Sequence, residues 1–389
     1  MRHPAKLLGL AGGAVLALAL TCPPRVQAAT WHVPTDAPTI QAAIDAAADG
    51  DIIALADQTF TGPGNRDLSF AGKAITIGSA SGDAARCIID CQGSGSDPHF
   101  GFSFTEGEGG ASRLENVTIR GGAFATGYHG GGAVFMVGAS PAITGCVFRN
   151  NFSPWDGGAL HCLQGSPTIS DCVFEDNFSG SRGGAAAFDS DQPDSAPVLT
   201  RCLFRNNEAV FGGAVFVRAQ ALPLLEFCTF SANSASGSGG GIFCSEAALT
   251  VRNCTFSRNS SVLEGGAIGG DFVAGATVEN TLITHSLSGG AVACLQDDSI
   301  NLSCCLLYNN VDGDWTDCVG GQYPGDGNLA ESPQLCSPTP DYDRMWVLQE
   351  DSPCAPDQTA CGLIGAWDVG CGSTPTKKRT LGGVRSLYR

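Results

Sequence analysis

Two short phrases recur along the middle of the chain about every 26 residues. The first is Gly-Gly-Ala followed by an aliphatic residue, with one Gly-Gly-Gly-Ile variant, and its copies begin at Gly131, Gly157, Gly183, Gly212, Gly239, Gly265 and Gly289. The second is Cys-x-Phe-x-x-Asn, and its copies begin at Cys146, Cys172, Cys202, Cys228 and Cys254. A fixed period of this size indicates one supersecondary unit stacked many times, so it restricts the fold to a repeat architecture.

Apolar residues alternate with a period of two inside each unit, as they do in β-strands. After the glycine pair come two apolar positions two residues apart, such as Val134 and Met136, and the Cys and Phe of the second phrase have the same spacing. Strands of this kind turn both apolar residues toward the interior. No segment of the array keeps a period of 3.6 long enough for a helix, so the pattern disfavours helical repeats.

Three short strands per unit, with the same residue type at each turn, predict an all-β parallel β-helix with about 26 residues per coil. The aligned Phe residues should then stack in the core. The aligned Asn residues should form a ladder of amide hydrogen bonds in a turn. A β-propeller is the alternative fold, but its blades need about 40 residues each, so the shorter period favours the β-helix.

The pattern weakens after the fifth copy of the second phrase. We expect Asn280 and Cys304 to take the cysteine position in the next two units. Leu282 and Leu306 would then replace the core Phe.

Five segments follow one another along the chain. Residues 1–28 have the basic start, apolar run and small-residue cleavage site of a secretory signal. Residues 29–55 are expected to hold an N-terminal capping helix and the first strand, and residues 56–310 the parallel β-helix. Residues 311–371 would form a Cys-rich C-terminal cap, and residues 372–389 a basic tail.

The capping helix is predicted over residues 37–48. Pro38 lies near its start, Ile40 and Ile44 mark one apolar face, and Gly50 follows its end. A helix here would cover the end of the solenoid, where apolar core and strand edges are otherwise exposed.

The charge of the chain limits its partners. The formal net charge is −17, and removal of the signal would make it more negative, because that segment contains basic residues and no acids. A strongly negative protein repels nucleic acid and anionic membranes, so no nucleic-acid partner is expected. No stretch after the signal is long and apolar enough to span a membrane as a helix. We expect a monomer that a bacterium secretes or holds at its surface or outer membrane.

The 18 cysteines fall into two groups. Five occupy one position of the repeat and alternate with core Phe, so they are predicted to be small buried hydrophobes. The second group lies in the loop-like sequence of the C-terminal cap: Cys318, Cys336, Cys354, Cys361 and Cys371. We expect disulfides among these, which an exported protein permits, with the pairing left open. Zinc is the alternative, and the lack of a Cys-x-x-Cys pair disfavours it.

The two repeated phrases together resemble the repeats of the chlamydial polymorphic outer membrane proteins over about residues 131–292. Residues 38–45 are similar to the N-terminal cap of pectate-lyase-like β-helix proteins. Residues 351–354 and 361–366 resemble the closing coil of bacterial right-handed β-helix repeat proteins. These resemblances imply a right-handed solenoid, which the crossover preference of parallel strands also favours. They further imply a surface or secreted protein with an adhesion-type role.

A group of carboxylates is the best candidate for chemistry. Asp189, Asp191 and Asp194 lie where residues 189–196 predict a protruding loop. Arg218 occupies the position of Asp189 one coil later, so the two should stack about one strand spacing apart. Glycosidases need paired carboxylates, and the pectate-lyase-like enzymes that the chain resembles also use calcium or an Arg. The structural alternative is a surface ion pair worth less than about 1 kcal/mol.

An outward-facing line of rings is a candidate ligand-binding surface. Phe135, His161, Phe216 and Phe243 occupy the position between the two apolar residues that follow the glycine pair. Exposed rings along one face can stack on sugars or contact proteins. The alternative is that turns and loops cover these rings, and a lone exposed His161 is more often inert than catalytic.

Calcium is the one cofactor that the sequence suggests. Asp312, Asp314 and Asp317 alternate in turn-rich sequence, but the remaining ligands of a calcium loop are missing. We therefore assign no metal site and no catalytic residue.

The sequence predicts an exported, non-enzymatic scaffold for adhesion or binding, whose partner is a carbohydrate or a surface protein. The alternative is a polysaccharide lyase or hydrolase of the pectate-lyase-like type. A third possibility is a purely structural component of the cell envelope.

Overall fold

The structure is a computed structural model, and it describes residues 28–124, 130–193, 195–271, 275–296, 299–336 and 346–370. The signal predicted at residues 1–28, apart from its last residue, lies outside the described residues. The basic tail predicted at residues 372–389 lies outside them as well, as does Asp194.

The described residues form a parallel β-solenoid of about 10 turns with about 26 residues per turn, as predicted. Sheet A has eleven strands: Thr30–Val33, Ile52–Leu55, Thr76–Ser79, Arg113–Glu115, Ala142–Thr144, Thr168–Ser170, Val198–Thr200, Leu224–Glu226, Thr250–Arg252, Ala276–Glu279 and Ile300–Ser303. Sheet B has ten: Thr59–Phe60, Ile88–Asp90, Thr118–Arg120, Val147–Arg149, Val173–Glu175, Leu203–Arg205, Thr229–Ser231, Thr255–Ser257, Leu282–Thr284 and Leu306–Tyr308.

A third sheet completes the coils, and a fourth, shorter sheet is present in the middle of the array. Sheet C has nine strands: Leu68–Ser69, Phe102–Phe104, Val134–Val137, Leu160–Leu163, Ala186–Ser190, Val215–Ala219, Ile242–Ser245, Ile268–Asp271 and Val292–Cys294. Sheet D has five short strands in the described residues: Phe152–Ser153, Phe178–Ser179, Glu208–Ala209, Ser234–Ala235 and Ser260–Ser261. In each sheet the hydrogen-bonded neighbour of a strand comes from the next coil, so identical repeat positions lie side by side.

The core consists of the predicted ladders. Rings of the aligned phenylalanines stack with centroids 4.5–4.8 Å apart: Phe148, Phe174, Phe204, Phe230 and Phe256. The five aligned cysteines are buried free thiols, as expected of small apolar residues. Burial raises the pKa of the Cys202 thiol well above its ordinary value, which keeps it protonated and unreactive.

The aligned asparagines form the predicted amide ladder, and all five are buried. Asn207 shows the pattern, which repeats along the ladder. Its Nδ2 donates to the Phe174 carbonyl at 3.0 Å and to Oδ1 of Asn233 at 2.9 Å. Its Oδ1 accepts from both the backbone N–H and the Nδ2 of Asn177, at 3.1 and 3.0 Å. The side chain thus replaces backbone hydrogen bonds that the turn cannot make.

The N-terminal helix is shorter than predicted and spans Ile40–Ala46. Thr39 is its N-cap, and the Thr39 hydroxyl accepts a hydrogen bond from the backbone N–H of Ala42 at 3.2 Å. Ile40 and Ile44 are buried in the main core cluster, so the helix covers this end of the solenoid as expected. Ala47 is already extended, which ends the helix before the predicted residue 48.

The register after the fifth repeat differs by one residue from the prediction. Ile283, not Leu282, aligns with Phe256, and Thr281, not Asn280, takes the cysteine position. The same shift places Cys305 in that position. Asn280 has a positive φ of 48°, like Asn253 one coil earlier at 49°, so the repeated turn geometry decides the register.

Disulfides do occur toward the C-terminal end, but they are not confined to the predicted cap. Cys318 pairs with Cys294 of the last strand of sheet C, and Cys361 pairs with Cys304. The prediction was wrong for Cys354, which is a buried free thiol. A 3₁₀ helix, Asp317–Gln322, lies beside the last coil.

Candidate functional site

The residues predicted to carry chemistry meet on the outer side of sheet C. His161 lies on the strand Leu160–Leu163 and Asp189 on the next strand, Ala186–Ser190, so the predicted loop begins only after Ser190. Asp156 joins them from the turn that precedes the strand of His161. We call Asp156, His161 and Asp189 the polar cluster.

Asp189 is held by its neighbours on both adjacent coils. The register pairs Asp189 with Arg218, as predicted, and Nε of Arg218 donates to Oδ1 of Asp189 at 2.7 Å. On the other side, Nε2 of His161 lies 3.4 Å from Oδ2 of Asp189. Both carboxylate oxygens are therefore bonded inside the protein.

His161 uses both of its ring nitrogens. The backbone N–H of Gly130 donates to Nδ1 of His161 at 3.1 Å, so Nδ1 is an acceptor and carries no proton. The proton of the neutral ring then lies on Nε2, which faces Asp189. A general base needs one unprotonated nitrogen that faces the reacting group, and the hydrogen bond from Gly130 occupies that nitrogen here.

Asp156 has its own counter-ion. Arg182, one coil further on, donates to both carboxylate oxygens of Asp156 at 2.8 and 2.9 Å. The guanidinium also lies 5.1 Å from the centre of the Phe216 ring, which is a cation–π contact. Sequence reasoning missed both residues, although each directly precedes a Gly-Gly pair and therefore takes the same position on adjacent coils.

Burial sets the electrostatics of the polar cluster. The exposed fractions are only 2% for Asp156, 1% for His161 and 4% for Asp189. Burial raises the pKa of Asp156 above its ordinary value, because the charge of Arg182 opposes it only in part. Burial acts the same way on Asp189, but the hydrogen bonds from His161 and Arg218 and the positive charge of Arg218 together outweigh it and lower its pKa.

The polar cluster does not fit a calcium ion. One ligand atom from each of its three residues lies within 4.8 Å of the other two. Calcium, however, takes six to eight oxygen ligands, and Arg182 and Arg218 already neutralise the two carboxylates. A cation would have to displace both guanidinium groups.

The predicted line of exposed rings is wrong in most of its members. Phe216 and Phe243 do point out of the coil, but Phe211 and Ala187 pack with them into a separate buried cluster. His161 is buried, not exposed.

Phe135 is half-buried against Phe124, with ring centroids 5.2 Å apart. The alternative that turns cover these rings therefore holds for Phe216, Phe243 and His161.

The remaining acidic candidates have separate places. Asp191 is exposed, unlike the three buried residues of the polar cluster. Asp312, Asp314 and Asp317 all accept backbone N–H groups, from Gly289, Asn309 and Cys294 among others. Carboxylates used in this way stabilise turns.

A comparison with protein families agrees with the fold. Residues 192–320 match a family model described as a right handed beta helix region. This match supports right-handed coils but not the narrower resemblance to the chlamydial repeats, which stays a prediction. No curated protein matches the chain.

One solved structure that is similar to the chain is that of a mannuronic acid specific polysaccharide family 6 lyase from human gut microbiota. It is 11% identical, the alignment covers 81% of this chain and 89% of that one, and the TM-score is 0.33. A similarity at this level carries no conclusion about activity.

Among the residues that the structure describes, no helix has the length and hydropathy required to cross a membrane.

Proposed function

We propose that the chain is an exported β-helix scaffold that binds a carbohydrate through exposed aromatic rings and does not turn it over. Export is consistent with the sequence of residues 1–28 and with the disulfides Cys294–Cys318 and Cys304–Cys361, because disulfides form in oxidising compartments. Adhesion at a cell surface is the role that fits such a scaffold best.

The closed state of the polar cluster argues against catalysis on the outer side of sheet C. Asp189 is the residue that a lyase or hydrolase would need there, and its two oxygens are bonded to Arg218 and His161. A substrate would have to break these contacts and reach atoms that are almost fully buried.

A second group of rings carries the binding proposal. Phe152 and Phe178 stack on adjacent strands of sheet D, with centroids 5.8 Å apart and an angle of 8° between the rings. Phe178 and the nearby Trp155 expose about two fifths of their surface. Flat exposed rings offer a sugar large apolar contact at small entropic cost. We call Phe152, Trp155 and Phe178 the aromatic patch.

The test is a screen of the purified chain against acidic and neutral polysaccharides, with and without calcium, reading both retained binding and new reducing or unsaturated ends. The double variant Trp155→Ala, Phe178→Ala should lose binding at least tenfold. The control is Ile52→Ala, Leu222→Ala, which removes two equally exposed apolar residues on or next to sheet A and should bind normally.

The proposal is wrong if the wild-type chain cleaves a polysaccharide and a folded Asp189→Asn variant does not. The chain would then be a lyase or hydrolase. If the double variant Trp155→Ala, Phe178→Ala still binds the polysaccharide normally, the ligand contacts another surface.

A further inference from the structure

A cavity of about 730 Å³ lies at the C-terminal end of the solenoid. On one side are three residues from successive coils, Arg258, His285 and Tyr308, which follow or end strands of sheet B. On the other side is the C-terminal cap, with Gln334 and Leu335. Its volume falls within the range of about 300–1,000 Å³ that is usual for small-molecule sites.

Arg258 gives this cavity a positive charge. The side chain is exposed, and it forms no ion pair with any residue that the structure describes. Its counterpart one coil away, His285, is half-buried, and burial together with the charge of Arg258 lowers the pKa of His285. Asp314 opposes this shift only in part, so the ring is neutral at pH 7 and Arg258 supplies the charge.

The walls of the cavity combine aromatic and aliphatic side chains. His285 and Tyr308 meet edge to face, with ring centroids 6.0 Å apart. Leu287 and Leu335 add aliphatic surface, and Leu287 is about half exposed at the rim.

The disulfide between Cys304 and Cys361 ties the cap to the last coils, and hydrogen bonds join the two cap segments that border the cavity. Nε2 of Gln349 donates to the Leu335 carbonyl at 3.0 Å. The hydroxyl of Ser352 donates to the Pro333 carbonyl at 2.6 Å. A preformed site of this kind loses little entropy when it binds a ligand.

We propose that this cavity binds a small organic carboxylate, with its anionic group on Arg258 and its body against Tyr308 and Leu335. A guanidinium presents paired donors that match a carboxylate. The apolar walls add contact area that an inorganic anion could not use. This site is separate from the aromatic patch, so it stands whether or not the chain binds a polysaccharide there.

Calorimetric titration of the full chain with two carboxylates and their neutral counterparts tests the proposal. Hexanoate is compared with hexanamide, and glucuronate with glucose. We expect at least one carboxylate to bind tenfold more tightly than its neutral counterpart. Binding of hexanoate would identify an aliphatic acid as the class of ligand, and binding of glucuronate a sugar acid.

Substitutions test whether the ligand binds in the cavity. Arg258→Gln should weaken carboxylate binding at least tenfold, whereas Arg86→Gln, which removes another exposed charge in the first coils, should not. Leu287→Trp at the rim should block the cavity in a folded protein. Equal binding of acid and neutral counterpart, normal binding by Arg258→Gln, or no binding of either acid would overturn the proposal.

Discussion

Single side chains in this protein fall into those whose role follows from their position in the repeat and those whose role depends on turns that the repeat does not specify. The asparagine ladder belongs to the first kind, because each amide bonds to the same residue of the next coil. Its position could therefore be predicted from spacing alone. The burial of His161 belongs to the second kind. It requires Gly130 and the turns that carry Asp156 and Arg182, and periodicity says nothing about how those turns fold over the strand.

Replacement of Asn207 by Ala should lower the free energy of unfolding by about 2–6 kcal/mol, because two buried donors of Asn177 lose their acceptor and each costs about 1–3 kcal/mol. Urea denaturation followed by circular dichroism measures the change. Asn301→Ala, at an exposed strand position, is the control and should stay within about 0.5 kcal/mol of the wild type. Equal stability of the two variants would show that the ladder contributes little.

The two carboxylates of the polar cluster should affect acid stability in opposite directions. The folded pKa of Asp189 is lowered, so its contribution is complete above the ordinary value of 3.8 and is lost as the pH falls through the folded pKa. The folded pKa of Asp156 is raised, so its ionisation costs stability as the pH rises above 3.8.

Unfolding measured by urea across pH 2.5–6 tests these signs. In Asp189→Asn, the free energy of unfolding should fall less than in the wild type as the pH decreases below the ordinary carboxyl pKa. In Asp156→Asn, the decrease in the free energy of unfolding that the wild type shows as the pH rises above that value should disappear. Parallel profiles for wild type and both variants would contradict the assigned shifts.

At the scale of the element, the glycine pairs form the corners that let sheet C follow sheet D. Gly212 has a φ of +66°, and a Cβ there would overlap the carbonyl oxygen of Val215. The sequence predicts these corners from the Gly-Gly phrase. It fails at the register of Thr281 and Cys305, because the residue type changes there while the turn geometry persists.

Gly212→Ala should therefore destabilise the protein more than Gly138→Ala. Both glycines have a positive φ, at which Ala costs about 1–2 kcal/mol. A Cβ added at Gly138 would meet no atom within 4 Å, whereas one at Gly212 meets backbone and adds about 1–3 kcal/mol of overlap. Thermal unfolding compares the two variants, and equal losses would show that the corner relaxes freely.

At the scale of the whole molecule, the solenoid covers its N-terminal end with the helix Ile40–Ala46 and its last coils with the C-terminal segment. Cap residues contact the outside of sheet B: Trp367 donates to the Thr229 hydroxyl at 2.8 Å, and Asn253 donates to the Leu363 carbonyl at 2.7 Å. The sequence predicts caps, because a solenoid end must be covered. It cannot predict these contacts, which join residues more than 100 positions apart.

The bond between Cys304 and Cys361 should hold this cap in place. In the double variant Cys304→Ser, Cys361→Ser, amide hydrogen exchange of residues 346–370 should become faster, while the Phe and Asn ladders keep their protection. Loss of such a crosslink commonly costs about 2–4 kcal/mol. Unchanged exchange in the cap would show that packing alone fixes it.

The position of the proton on His161 tests whether the polar cluster is a closed structural unit. Nitrogen NMR of the imidazole rings at neutral pH distinguishes the two neutral forms. His285 is an internal control, because Thr284 donates to the Tyr308 carbonyl and so accepts from Nδ1 of His285.

We expect His161 to carry its proton on Nε2, with Nδ1 accepting from Gly130. A proton on Nδ1, with an unprotonated Nε2, would contradict it, since the ring would then have a nitrogen able to accept a proton from a substrate.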